Sequence, residues 1–261
     1  MTIQYKFASL NSSGKKALVC FFTAGDQPLE DLPEIVALLE ASGADIIEIG
    51  IPFSDPFGEG PTIQDSSQRA LENGATLTKI LEAIGKCSST IPLVTMGYYN
   101  PILRFGLEHF SKESVKAGIT GTIVSDLVPD EAKDWDAACE LNQLETIYLV
   151  APTSTSERIK QVTAQSTGFV YVVSRTGVTG AESEVPSEIS GLVRKVKGLT
   201  TKPVCVGFGI STPEHVKLVC KEADGAVVGS AIVSMLHKNW ANPNDRHKIE
   251  EYVHSLKLAT G

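Results

Sequence analysis

A chain of 261 residues, 42% hydrophobic and 21% charged, carries enough apolar material for a large folded core and is too apolar for a disordered polymer. Its net charge of −8, without any cluster of Lys or Arg, excludes nucleic acid as a partner, because phosphate backbones are held by basic faces. No apolar run approaches the ~20 residues that cross a bilayer, and residues 1–10 lack a basic patch followed by an apolar stretch, so no membrane association and a cytoplasmic location are expected.

Along the chain, short runs rich in Val and Ile alternate with longer amphipathic stretches. The predicted strands are residues 18–23, 45–50, 92–96, 121–124, 146–150, 169–173, 203–206 and 225–228, each nearly unbroken in hydrophobicity as strands buried on both faces should be. Helical periodicity fills the gaps at 32–41, 66–73 with 77–87, 107–117, 131–141, 156–165, 187–197, 213–223 and 246–258. Two helix starts carry capping-box patterns, Ser154 with Glu157 and Ser211 with Glu214. No linker or low-complexity segment divides the chain, so one domain spanning 1–261 is expected. Eight βα units with right-handed crossovers close most naturally into a (β/α)8 barrel, an α/β fold of about 250 residues, with an open doubly wound sheet as the alternative.

The five cysteines, Cys20, Cys87, Cys139, Cys205 and Cys220, are scattered without close metal-ligand spacing and read as reduced thiols. None of the histidines, His109, His215, His237, His247 and His254, falls at a predicted strand end. Neither a Ser-His-Asp arrangement nor a metal site is therefore supported.

In a barrel the chemistry belongs to the loops that follow the strands. After the seventh predicted strand comes Gly207-Phe208-Gly209-Ile210-Ser211, and after the eighth comes Gly229-Ser230, opening the apolar stretch from Ala231 to Leu236. Glycines there let backbone N–H groups approach an anion, and a helix starting at Ser230 would aim its positive end at a phosphate. Gly-Ser is also a common turn and helix start, but two such loops at neighbouring strands favour the phosphate. Ser174-Arg175-Thr176-Gly177-Val178-Thr179-Gly180 is either a closing lid or a plain surface connection. Glu48, inside the apolar run Ile46-Ile47-Glu48-Ile49-Gly50, shares one strand face with Ile46 by alternation. A carboxylate in such a place is either paired structurally or raised in pKa for acid–base work. The loop Ser54-Asp55-Pro56-Phe57-Gly58-Glu59-Gly60-Pro61 brings Asp55 and Glu59 toward the same rim, and two carboxylates in different surroundings suit divided acid and base roles.

These segments resemble the tryptophan synthase alpha-subunit family along nearly the whole chain. The resemblance is carried by Ile47-Glu48-Ile49-Gly50-Ile51-Pro52-Phe53-Ser54-Asp55-Pro56, then Gly60-Pro61-Thr62-Ile63-Gln64, Tyr98-Tyr99-Asn100-Pro101, Gly177-Val178-Thr179-Gly180, Gly207-Phe208-Gly209-Ile210 and Gly229-Ser230-Ala231-Ile232-Val233. It implies a (β/α)8 barrel that cleaves indole-3-glycerol phosphate to indole and glyceraldehyde 3-phosphate by a retro-aldol route, with no cofactor or metal in this chain. Glu48 then matches the family's acid–base group, and Glu59 the carboxylate that receives the indole N–H. Phe21, Ile123, Leu149, Tyr171 and Phe208 fall where the family packs the indole ring. Tyr98 and Thr179 are further substrate-site positions, and Gly180, Gly209, Gly229 and Ser230 surround the phosphate. Asp55, Pro56, Asn100 and Val128 match contacts to a beta subunit. That partner carries pyridoxal phosphate and completes an α2β2 tetramer.

The sequence departs from the family pattern at four places: Glu59 stands where Asp is usual, Gly58 where Ala is usual, and Cys20 and Val128 where Pro is frequent. Glu59 displaces its charge by about 1 Å, an error that can slow an active site on the order of a hundredfold. From sequence alone Glu59→Asp is expected to raise turnover. Two alternatives to a lyase in an alpha–beta complex stay open: a catalytically weak subunit that activates a beta subunit, and a free-standing lyase.

Overall fold

The computed structural model describes residues 1–173, 187–207 and 209–261. Eight parallel strands, β1 (Ala17–Thr23), β2 (Ile46–Gly50), β3 (Leu93–Gly97), β4 (Ile119–Val124), β5 (Glu145–Val150), β6 (Val170–Val173), β7 (Val204–Gly207) and β8 (Gly225–Val228), close into a barrel in sequence order. The ring is sealed where β8 pairs with β1, Ala17 lying opposite Gly225. Around it run α1 (Ile3–Ser12), α2 (Leu32–Ala41), α3 (Pro61–Glu72), α4 (Leu77–Ile84), α5 (Tyr99–Phe105), α6 (Leu107–Lys116), α7 (Lys133–Asn142), α8 (Ser156–Gln165), α9 (Ser187–Lys197), α10 (Pro213–Cys220), α11 (Ser230–Asn239) and α12 (Arg246–Leu258). The (β/α)8 barrel is the fold, and the open-sheet alternative is gone.

Strand alternation produces two apolar layers. Val19, Phe21, Ile46, Val94, Met96, Ile123, Ile147, Tyr171, Cys205 and Val227 fill the barrel interior. The intervening residues, among them Cys20, Phe22, Ile47, Ile49, Val170, Val172, Val204 and Val206, pack outward against the helices. The predicted strands match within one or two residues because each is apolar on both faces.

Three sequence expectations need correction. The N-caps of α8 and α10 are Thr155 and Thr212, whose hydroxyls accept the N–H of Arg158 and His215, not Ser154 and Ser211. The Ser154 hydroxyl instead accepts the Ala151 N–H and closes the preceding turn, leaving Thr155 as the last extended residue. Helix α3 begins at Pro61 rather than at Ser66, because proline's fixed φ suits a first helical turn whose N–H needs no partner. Two helices, α1 and α5, were not anticipated. Helix α5 has Pro101 in its first turn, a place where proline is tolerated although Asn-Pro reads as a turn. Helix α1 has an apolar face of only Ile3, Phe7 and Leu10, and it owes its place to tertiary contacts.

Those contacts plug one end of the barrel. Ile3 is fully buried, its N–H donates to the Glu145 carboxylate at 2.9 Å, and Phe7 meets the Phe169 ring edge-on at 6.0 Å. The space for the Ile3 side chain exists because position 121 is glycine: a Cβ there would lie 2.6 Å from the Ile3 terminal methyl. At the same end Asp45 accepts the Leu18 N–H at 2.9 Å and Lys257 Nζ at 2.6 Å, pinning α12 to the start of the sheet. The opposite end, where the strands terminate, is left to the loops. No helix among the described residues is long and apolar enough to cross a membrane.

Candidate active site

Glu48 lies mid-strand in β2, with Phe21 of β1 and Val94 of β3 as its cross-strand neighbours. The alternation read from sequence holds: Ile46 belongs to the interior layer and Ile47 and Ile49 to the outer one, so Glu48 faces the interior. It is buried, and neither carboxylate oxygen has a hydrogen-bond partner among the described residues. An ion pair would satisfy those oxygens, so the structural-pair alternative fails. Burial first, and the nearby charge of Glu59 second, push its pKa up to about 8.

Glu59 arrives from the loop between β2 and α3. Its N–H donates to the Pro56 carbonyl at 3.0 Å, and its own carbonyl accepts the Gln64 side-chain amide of α3 at 2.9 Å. The backbone is thereby tied to the first turns of a helix, while the half-buried carboxyl is pushed up to about 7 by desolvation. Two carboxyls in mutual range, both titrating near neutrality, can divide donor and acceptor roles. Tyr171, buried on β6, feels both charges, which together with burial raise its hydroxyl far above the usual tyrosine range.

Glycine makes the aromatic lining possible. A Cβ on Gly207 would fall 2.3 Å from the Tyr171 hydroxyl, and one on Gly50 would fall 2.6 Å from the Phe21 ring. The end of β7 and the end of β2 are therefore open to rings that reach across the mouth. Phe21, Ile123 and Tyr171 join one interior cluster, with Leu149 packed against it, so these four expected lining residues come together. Ile63 of α3 belongs to the same lining and was not foreseen: it packs on this cluster and would lie 3.6 Å from a Cβ on Gly229. Its apolar type within a polar helix was the available signal. Ser125, just past β4, was noted only as a strand-end serine, yet its hydroxyl oxygen is buried without a partner among the described residues.

Gly209 and Gly229 stand on neighbouring strand ends, after β7 and β8. Gly209 has φ +81°, a conformation L side chains rarely adopt. Gly229 caps α11 without any side-chain hydrogen bond, and Ser230 at its first turn is exposed. The N–H groups opening α11 are thus presented to the rim, as an anion site requires. Thr179, Gly180, Phe208 and the rest of the glycine-rich segment after β6 lie outside the described residues. On the loops after β2, β3 and β4, Asp55, Asn100 and Val128 are exposed and Pro56 half-buried, all on the same rim. Tyr98, buried behind this rim, contacts the loop that carries Glu59.

All five histidines lie on helices, and all five cysteines are unpaired. A closed parallel barrel with paired high-pKa carboxyls and a free helix N-terminus at its mouth defines an acid–base barrel enzyme for a small anionic substrate. The family model for the tryptophan synthase alpha chain matches residues 7–260. The tryptophan synthase alpha chains of Geobacter sulfurreducens and Desulfatibacillum aliphaticivorans are 47% and 44% identical, aligning over 98% and 99% of this chain and 97% and 98% of their own. The alpha subunit from Legionella pneumophila superposes with a TM-score of 0.91 at 33% identity, covering all of this chain and 98% of its own. A chain of the ligand-free tryptophan synthase from M. tuberculosis gives 0.89 at 33% identity, over 99% and 98%. The chain belongs to the tryptophan synthase alpha chain family, and it is a carbon–carbon lyase of tryptophan biosynthesis that cleaves indole-3-glycerol phosphate to indole and glyceraldehyde 3-phosphate.

Proposed function

We propose that Glu48 is the acid–base group of this cleavage and that Glu59 receives the indole N–H. The observation that carries the assignment is the buried Glu48 carboxyl, with both oxygens unpartnered and its pKa near 8. Protonated near neutrality, it gives its proton to indole C3, and the positive charge that develops on the ring is met by the Glu59 carboxylate. Glu48, now ionised in an apolar setting that disfavours its charge, takes the proton of the adjacent glycerol hydroxyl. The O–H electron pair becomes the aldehyde C=O, the C–C bond breaks, and its electrons restore the aromatic ring. Phe21, Ile123, Leu149, Tyr171 and Phe208 hold the indole, with Tyr98 and Thr179 beside the loops that close on it. Gly180, Gly209, Gly229 and Ser230 bind the phosphate.

The chain works as one domain in the cytoplasm, docked on a beta subunit through the loops of Asp55, Pro56, Asn100 and Val128 in an α2β2 tetramer. Pyridoxal phosphate belongs to that partner and not to this chain. The test follows indole release from indole-3-glycerol phosphate with and without a beta subunit, for the chain and for Glu48→Gln. Glu48→Gln should lose about 10²–10⁴-fold in kcat, the range of a general acid–base group, with KM little changed. Release that depends on beta supports the complex, brisk release alone a free-standing lyase, and none in either case a purely activating subunit. Full activity in Glu48→Gln would refute the assignment.

A further inference from the structure

Tyr98 immediately follows β3 and is buried, yet its hydroxyl engages a different loop: it accepts the Gly58 N–H at 3.1 Å. Its ring stacks on Phe53 at 5.0 Å and meets Phe57 edge-on at 5.4 Å. Phe53 precedes the loop that carries Glu59, and Phe57 and Gly58 directly precede Glu59 itself. Phe57 is 76% exposed, so its contact with Tyr98 helps to place a residue that the core does not hold. The close approach also depends on glycine at 58, because a Cβ there would sit 3.3 Å from the Tyr98 hydroxyl, tighter than an ordinary contact. Tyr98 lies within electrostatic range of Glu59, whose charge, after burial, helps push the hydroxyl up to about 12.

We propose that Tyr98 is a positioning residue for Glu59: ring and hydroxyl together fix the turn through Phe57 and Gly58, and the turn aims the Glu59 carboxylate into the barrel mouth. Gly58, Tyr98 and Glu59 then act as a unit. A glutamate has one more free torsion than an aspartate, so its backbone must be held more firmly for the carboxylate to arrive in one place. The inference rests on Glu59 being the group that receives the indole N–H, and it replaces a direct substrate contact as the role of Tyr98.

Tyr98→Phe keeps both ring contacts and deletes the acceptor. It is assayed in the full chain with a beta subunit, as kcat and KM for indole-3-glycerol phosphate across the neutral pH range. The expected result is a fall in kcat of about tenfold or more with KM within about twofold. The pH limb owed to Glu59 should move to lower pH, because a loosened loop admits water to a carboxyl that burial had raised. The other ionisable groups facing it, Glu48 and Tyr171, are unchanged by the substitution. In a Glu59→Gln background Tyr98→Phe should cost nothing further, and Gly58→Ala, which crowds the same hydroxyl, should reproduce its effect. A raised KM with kcat intact, an unmoved pH limb, or a loss that adds in full to that of Glu59→Gln would overturn the proposal. An unsubstituted chain that released no indole even with beta would instead sink the reading of the site, and this assignment with it.

Discussion

The charge on Glu59 raises the proton affinity of Glu48, although one side chain stands on a barrel strand and the other on the loop beyond it. Burial alone makes Glu48 a weak acid; the second carboxylate keeps it protonated at the pH where the first proton transfer is needed. The two residues therefore titrate as a pair, and perturbing either one moves the other.

Stability should report this pairing. Glu48 has a folded pKa near 8 against an unfolded value near 4.5, so between those values the folded state binds more protons than the unfolded one. Stability owed to the protonated form is present at acid pH and is lost as pH rises through the folded pKa. Glu48→Gln removes the titration, and urea unfolding should find it more stable than the parent above neutrality, by an amount on the order of a few kcal/mol, with little difference near the unfolded pKa. A parent whose stability rises with pH across that window would contradict the burial argument.

For Glu59→Asp the structure reverses the sign expected from sequence. The turn that Tyr98 holds is set for the longer side chain, which already reaches far enough to act on Glu48. Withdrawing the carboxylate by about 1 Å should lower kcat, by up to on the order of a hundredfold, and shift the Glu48 limb of the pH profile to lower pH. Higher turnover would show that the family's aspartate is the better fit here too.

Two glycines should respond oppositely to alanine. Gly207→Ala would drive a methyl into the Tyr171 ring, 2.8 Å away and fully buried, and should cost about 1–3 kcal/mol of stability together with a loss of indole-3-glycerol phosphate affinity. Gly191→Ala, inside α9 with nothing within 4 Å of the new methyl, should stabilise by about 0.5–1 kcal/mol. Thermal unfolding of both variants checks the pair.

The barrel plug offers a test remote from the chemistry. Ile3→Ala should cost about 2–5 kcal/mol, the range for a fully buried branched side chain, whereas Tyr5→Ala on the exposed side of α1 should stay within about 0.5 kcal/mol. Equal effects from the two in urea unfolding would mean that α1 does not close the barrel.

The sequence by itself determined the eight strands, most helices and Glu48 as the residue to watch. Strands buried on both faces read as unbroken apolar runs, and one carboxylate inside such a run stands out because burying its charge is costly. Glu59, the lining residues, the phosphate glycines and the partner rim were legible as a resemblance in motif order. Helix α1 was not legible, since three apolar residues in ten gave too little signal, and only the glycine gap at 121 shows where Ile3 goes. Equally hidden were the Tyr98 clamp, the space that Gly207 leaves for Tyr171 and the placement of Ile63. Each depends on residues far apart in the chain meeting at a few ångströms, and that proximity is set by barrel closure and strand register, which no local pattern encodes.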